Sequence, residues 1–353
     1  MGNRCFAYLR WWLYASIIRN PMVYIKGISY YLPEKNQTNE ELVKDFPEWT
    51  VDKVASKIGI SERHIAAENE TSADMAVEAG RKLFKEHNIN PWEIDFVMLC
   101  TQSPDYFLPT SACIIQDKLG IPIRSGAIDF NLGCSGFVYG LGLAKGLIVA
   151  GIAKNVLLLT SETYSKFIHY KDKSNRTIFG DAAAATLVST DGFAEIMDFS
   201  LGTDGKGAKN LIVGTGGFKA PSRMNNLEFD DAGNPTSSDH LFMNGIEIFN
   251  FSLEMVPILV QETLEKNKLG IDDIDQFVFH QANKHMLNFI RKKVRIPEEK
   301  FYYYMEKVGN TVSSTIPIAL YEAMKDNTIQ PDQKVLLAGF GVGYSWAGNV
   351  LKF

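Results

Sequence analysis

Three residues stand where chemistry is easiest to build. Cys134 lies in Asn131-Leu132-Gly133-Cys134-Ser135-Gly136-Phe137, where an apolar strand ends in a tight turn and a helix of small residues begins. A thiol at a helix start faces the positive end of the macrodipole, which favours the nucleophilic thiolate. The flanking glycines leave its sulfur open to a substrate. The competing reading is a buried, inert cysteine. His280 closes the apolar run of Phe277-Val278-Phe279-His280-Gln281-Ala282-Asn283, where the chain leaves a sheet. It reads either as a catalyst or as a satisfied polar residue. Asn310, in Gly309-Asn310-Thr311-Val312-Ser313-Ser314, sits in a second glycine turn before a helix, and its plain reading is a cap or turn asparagine. Cys5, Cys100 and Cys113 and the histidines at 64, 87, 169, 240 and 285 carry no such context.

The elements around these residues alternate between short apolar strands and helices. Thr38 to Glu41 reads as a capping box that opens a short helix, Thr71 to Asp74 as the cap of a longer one, Thr50 as a cap, and Gly59 as a left-handed helix end. Asn155-Val156-Leu157-Leu158-Leu159-Thr160 is apolar throughout, the pattern of a strand covered on both faces. An internal repeat organises the rest. Ile94-Asp95-Phe96-Val97-Met98-Leu99 resembles Ile274-Asp275-Gln276-Phe277-Val278-Phe279, and Val156-Leu157-Leu158-Leu159 matches Val335-Leu336-Leu337-Ala338. The two offsets, Ile94 to Ile274 and Val156 to Val335, differ by one residue, so two related α/β halves are expected: 22–195 with the cysteine and 196–353 with the histidine and asparagine. The repeat sets Cys100 against His280, Asn131 against Asn310 and Cys134 against Ser313. Ligands of paired α/β units sit outside the carboxyl ends of strands, so Cys134, His280 and Asn310 are expected to converge at the joint.

Composition narrows the function classes. With 36 Lys+Arg against 41 Asp+Glu the net charge is −5, which argues against nucleic acid as the main partner. The four cysteines have no CxxC spacing and form no disulfide framework, which suggests neither a zinc or redox motif nor a metal site, and places the chain in a reducing cytoplasm. Residues 1–21 carry Arg4, Arg10 and Arg19 among aromatics; the apolar run is too short to span a bilayer and lacks a signal-peptide cleavage pattern. This stretch is expected to be a loose extension or to precede a true start at Met22.

From Met22 to Phe353 the chain resembles the condensing enzymes of the thiolase superfamily, and within them the β-ketoacyl-acyl carrier protein synthase III family. YYLPEKNQTNEEL, GISERHIA, NLGCSGF, IFGDAAAATLV, HQAN, GNTVSS and LLAGFGVGYSWAGNVLKF carry the resemblance. It implies a thiolase-like fold of two duplicated halves in a layered αβαβα arrangement, a homodimer, and a Cys134-His280-Asn310 triad. It implies no cofactor: coenzyme A and phosphopantetheine thioesters are the substrates. The implied reaction is decarboxylative condensation of an acyl-CoA primer with malonyl-acyl carrier protein, the initiating step of fatty acid synthesis. Cys134 would hold the acyl group, His280 and Asn310 would stabilise the enolate, and the backbone N–H groups of Cys134 and Val342 would hold the other oxyanion.

The resemblance also assigns Trp49, Lys57 and Arg176 to coenzyme A, Leu108 to the limit of the acyl pocket of a partner subunit, Phe340 to the wall beside the cysteine, and Lys284, Arg291, Lys292 and Lys293 to carrier-protein docking. Val342 replaces a family glycine, Lys57 stands near a family arginine with a longer spacing after Trp49, and His285 stands for the family's docking arginine. These departures motivate a specialised ketosynthase using longer or unusual acyl thioesters in secondary metabolism. A rival of another class is a cysteine-dependent acyl transferase or thioester hydrolase that forms no carbon–carbon bond.

Overall fold

The computed structural model describes residues 21–230 and 233–353; apart from Pro21, the expected extension over 1–21, Cys5 included, lies outside them. The local stop and start signals act as read. The Thr38 hydroxyl accepts from the Glu41 N–H, Thr71 and Asp74 close a reciprocal capping box, and Gly59 ends its helix at φ +74°. The small-residue helix after the cysteine runs over Gly136–Val149, so Cys134 stands in the turn two residues before it.

The duplication is visible in hydrogen-bond register. Phe96–Cys100 pairs parallel with Asn155–Glu162, Phe96 opposite Val156; Gln276–Phe279 pairs parallel with Lys334–Gly341, Gln276 opposite Val335. The Asp95 carboxylate accepts the N–H groups of Lys154 and Asn155, and the Asp275 carboxylate that of Lys334, so the same aspartate ties the same two strands in both halves. The full strand order is Gln276–Phe279, Lys334–Gly341, Ser345–Lys352, Ala194–Thr203, Tyr24–Tyr31, Ala182–Ser189, Asn155–Glu162, Phe96–Cys100, Gly126–Phe130. The halves join where Tyr24 and Ile25 pair with Glu195 and Ala194, so the ladder runs through nine strands. The expected boundary at 195 and 196 falls inside the strand Ala194–Thr203.

Side chains alternate across each strand, so a fully apolar strand feeds two cores at once. Val156 and Leu158 face a central core with the helices Gly136–Val149 and Thr315–Lys325, while Leu157 and Leu159 face an outer core under Ser72–Glu86 and Ser111–Lys118. In the second half Val335 and Leu337 enter the central core, and Leu336 and Ala338 pack under the outer helices Gly245–Asn267 and Lys284–Val294. Three cores result, one under the outer helices of each half and a central one around both inner helices, in a five-layered αβαβα stack. The central helices start at Gly136 and Thr315, the same offset again, which brings the turns carrying Cys134 and Asn310 to one end of the stack. No helix of the described residues is long and apolar enough to cross a membrane.

Leu158, 1% exposed in the central core, tests this layering. Leu158→Ala should lower unfolding free energy by roughly 2–5 kcal/mol in urea titrations, whereas an exposed position such as Ile152→Ala should cost under about 0.5 kcal/mol.

Candidate active site

Cys134, His280 and Asn310 line one cavity of about 180 Å³. Its other walls are mainly apolar: Ile178, Leu211, Met243, Ile248, Met286 and Phe340 among them. His280 follows the strand end Phe279 and is fixed by its N–H to the Ala338 carbonyl at 2.8 Å. Phe340 meets the imidazole edge-on, ring centres 5.7 Å apart. The Asn310 turn is held by the other half: its N–H donates to the Ile178 carbonyl at 2.8 Å, and its carbonyl accepts from Gly180 N–H at 3.1 Å.

One residue orients both polar side chains. Val312 adopts φ +55°, a left-handed backbone that a β-branched residue rarely takes. There its N–H donates to Asn310 Oδ1 at 2.9 Å, which commits the carboxamide oxygen and leaves the Nδ2 protons for the cavity. Its carbonyl accepts from the Thr315 hydroxyl at 3.1 Å. Thr315 Oγ1 also lies 2.8 Å from His280 Nδ1. With the threonine proton on the carbonyl, Nδ1 carries the ring proton and Nε2 keeps a lone pair.

The site is buried, and its ionisations follow from that. Burial pushes the Cys134 thiol up to about 12, the Glu162 charge adds to this, and hydrogen bonds from the backbone N–H groups of Val342 and Cys134 itself pull the other way. Burial thus outweighs the pull toward thiolate expected from the helix start. Burial also pushes His280 down to about 3, despite the opposing pull of the Val312 backbone. The resting site is therefore a neutral thiol beside a neutral imidazole. A Cβ on Gly341 would stand 2.8 Å from both Cβ and Sγ of Cys134, so a glycine is needed there for the sulfur to reach the cavity.

The remaining expected residues disperse. Trp49 is half-buried in the turn between the helices Asn39–Asp45 and Val51–Ile58. Arg176 lies against that turn, paired with Asp45 at 2.9 Å and placed over the Phe46 ring at 5.3 Å. Neither lines the cavity. The Lys57 side chain lies outside the described residues. Leu108 is 81% exposed beside Tyr106 and Phe107 and does not line the cavity of its own chain. Lys284, Lys292 and Lys293 are exposed on one helix, but Arg291 is not part of that patch. Its guanidinium is buried, bonded to the Ile296 carbonyl and Glu298, because the helix turns it inward to tie down its own carboxyl end. His285 lies at the cavity rim with Phe249 and Phe289.

Sequence reasoning missed Val312, Thr315 and Glu162. Glu162 carried a signal: the offset that pairs Val156 with Val335 pairs Glu162 with Gly341, against the cysteine. Val312 carried none, since a valine does not announce a positive φ. Among the described residues no group of three or more His, Cys, Asp or Glu is placed to hold a metal ion.

Known proteins can now be set beside this geometry. Residues 128–205 match the family model described as 3-oxoacyl-[acyl-carrier-protein] synthase III, and residues 264–353 match its C-terminal counterpart. A β-ketoacyl-[acyl-carrier-protein] synthase III of Caldanaerobacter subterraneus subsp. tengcongensis is 35% identical over 334 residues, covering 93% of this chain and 97% of its own. A crystal structure titled 3-oxoacyl-(acyl-carrier-protein) synthase III superposes with a TM-score of 0.92 at 50% identity, over 94% of this chain and 100% of the other. A 3-oxoacyl-(acyl-carrier protein) synthase from Burkholderia xenovorans LB400 superposes at 0.86 with 38% identity, over 94% of each chain.

The depressed His280 makes a signed prediction. Between its unfolded value near 6.5 and about 3, the unfolded chain binds a proton that the folded chain refuses, so stability falls as pH drops through that window. His280→Gln should flatten the acid side of the plot of melting temperature against pH below about 6.5 and leave pH 7 to 9 unchanged.

Proposed function

The chain belongs to the 3-oxoacyl-[acyl-carrier-protein] synthase III family, and from that premise we propose that it condenses an acyl-CoA primer with malonyl-acyl carrier protein, losing carbon dioxide, to initiate fatty acid synthesis. The observation that supports this reading most directly is the convergence of Cys134, His280 and Asn310 on one apolar cavity. Cys134 attacks the acyl thioester; its proton passes to the Nε2 lone pair of His280 and on to the departing coenzyme A thiolate. The N–H groups of Cys134 and Val342, already directed at the sulfur, hold the tetrahedral oxyanion. The valine side chain leaves that backbone donor intact.

The malonyl thioester then loses carbon dioxide, and the electron pair left behind becomes an enolate. Asn310 Nδ2 donates to its oxygen. His280 donates as well in its other tautomer, with the ring proton on Nε2 and the Thr315 hydroxyl donating to Nδ1. The enolate carbon attacks the acyl-cysteine and the Cys134 thiolate leaves. Apolar walls favour this sequence, since a carboxylate leaving water gains by becoming neutral carbon dioxide. Coenzyme A and phosphopantetheine thioesters are substrates, with no further cofactor. Trp49, Arg176 and Lys57 are assigned to coenzyme A; Phe340 walls the acyl-cysteine. The exposed Leu108 suits a homodimer in which that residue limits the partner's pocket. A cytoplasmic enzyme with free thiols fits these substrates.

Incubation with a panel of acyl-CoA primers and malonyl-acyl carrier protein, followed by mass, should give β-ketoacyl-carrier product. Free acid or simple acyl exchange would sink the condensing role, and activity confined to long or branched primers would move the enzyme to specialised metabolism. Cys134→Ala should lose acyl loading. His280→Ala and Asn310→Ala should still load but lose decarboxylation by roughly 10²–10³-fold each.

The exposed Lys284, Lys292 and Lys293 suit an acidic carrier protein. Lys292→Glu with Lys293→Glu should raise KM for malonyl-carrier several-fold, leaving acyl-CoA loading unchanged. Arg291→Ala should instead lower the melting temperature.

A further inference from the structure

Glu162 is a buried carboxyl that the chemistry above leaves unused. It ends the strand Asn155–Glu162 with 0% exposure. It accepts from Gln102 N–H at 3.2 and 3.0 Å, from the Ser103 hydroxyl at 3.3 Å and from the Ser313 hydroxyl at 3.1 Å. All of these donors are neutral. Two of the anchoring residues lie next to the glycines either side of Cys134. Gln102 Oε1 lies 2.6 Å from where a Cβ would stand on Gly133, and Ser313 Cβ lies 3.7 Å from the same point on Gly136. Ser313 also belongs to the turn of Asn310 and Val312. The carboxyl is thus wedged between the cysteine turn of one half and the asparagine turn of the other.

We propose that Glu162 is a positioning residue for the reaction at Cys134: its carboxyl fixes the cysteine turn through Gln102 and Ser313, and its charge governs how readily the neighbouring thiol gives up its proton. This rests on Cys134 being the nucleophile. The physical basis is like-charge repulsion in a buried site. The Glu162 charge raises the thiol, and burial pushes Glu162 itself up to about 8. Near neutrality it carries a proton and permits the thiolate; above that it ionises and opposes it. The other titratable groups acting on this pair are Cys100 and Tyr164, both raised by burial and so protonated in this range, and Asp181, whose charge also disfavours the Glu162 carboxylate. Cys134 and Glu162 therefore titrate as a coupled pair.

The test reads the thiol directly. Alkylation of Cys134 by iodoacetamide is followed peptide by peptide in the mass spectrometer, from about pH 6 to 10, in wild type, Glu162→Gln and Ser313→Ala. In wild type the logarithm of the rate should climb with unit slope, flatten across about pH 8, then climb again. Glu162→Gln should give an unbroken line, roughly tenfold faster above the inflection, the equivalent of about one unit in the thiol's pKa. Ser313→Ala removes a donor that favours the carboxylate, so its inflection should move to higher pH. An unbroken wild-type line, or an inflection that survives in Glu162→Gln, overturns the proposal. Should the glutamine variant fail to fold, the wild-type inflection and its shift in Ser313→Ala decide the matter. Alkylation needs no condensation, so failure of the condensing role and failure of this proposal are separable outcomes.

Discussion

The geometry of the site depends on the backbone of Val312. Its N–H holds the Asn310 carboxamide and its carbonyl holds Thr315, the partner of His280, so two side chains from separate elements are oriented by one peptide neighbourhood. A valine at φ +55° is unfavourable by itself. It persists because the surroundings over-determine it. The Asn310 turn is bonded to Ile178 and Gly180 of the other half, and Ser313 and Ser314 bond to Glu162 and Thr160. Local strain placed where a site must be held rigid is a recurrent use of such conformations.

Burial is the second constraint. Cys134, His280 and Glu162 are all displaced toward their neutral forms, and burial is the largest cause in each. A site of this kind carries little charge at rest and keeps its donors for charge that develops during reaction. The backbone N–H groups of Cys134 and Val342 pull the thiol down, against burial. The same burial that makes a resting thiolate unfavourable strengthens each of these interactions.

Duplication explains why these parts meet. Each half ends a parallel strand pair with a turn into a central helix, and the two central helices lie back to back in one core. The halves have since divided their duties: the first supplies the thiol and the buried carboxyl, the second the imidazole and carboxamide. Gly341 stands where the first half has Glu162, and the missing side chain there is what gives the sulfur its room.

The amino-acid sequence alone carried the α/β alternation, the two halves and the expectation that Cys134, His280 and Asn310 converge, because apolar periodicity, glycine turns and a repeated offset are local and can be counted along the chain. It also carried the helix caps at Thr38 and Thr71. Only the tertiary structure decided that Arg291 turns inward to Glu298, that Arg176 pairs with Asp45 over the Phe46 ring, and that burial overrides the helix start in setting the thiol. Those outcomes depend on which groups lose water and which neighbours close around them. Desolvation and contact across the halves are properties of the packed chain, and a valine forced into a left-handed turn leaves no trace in the order of residues.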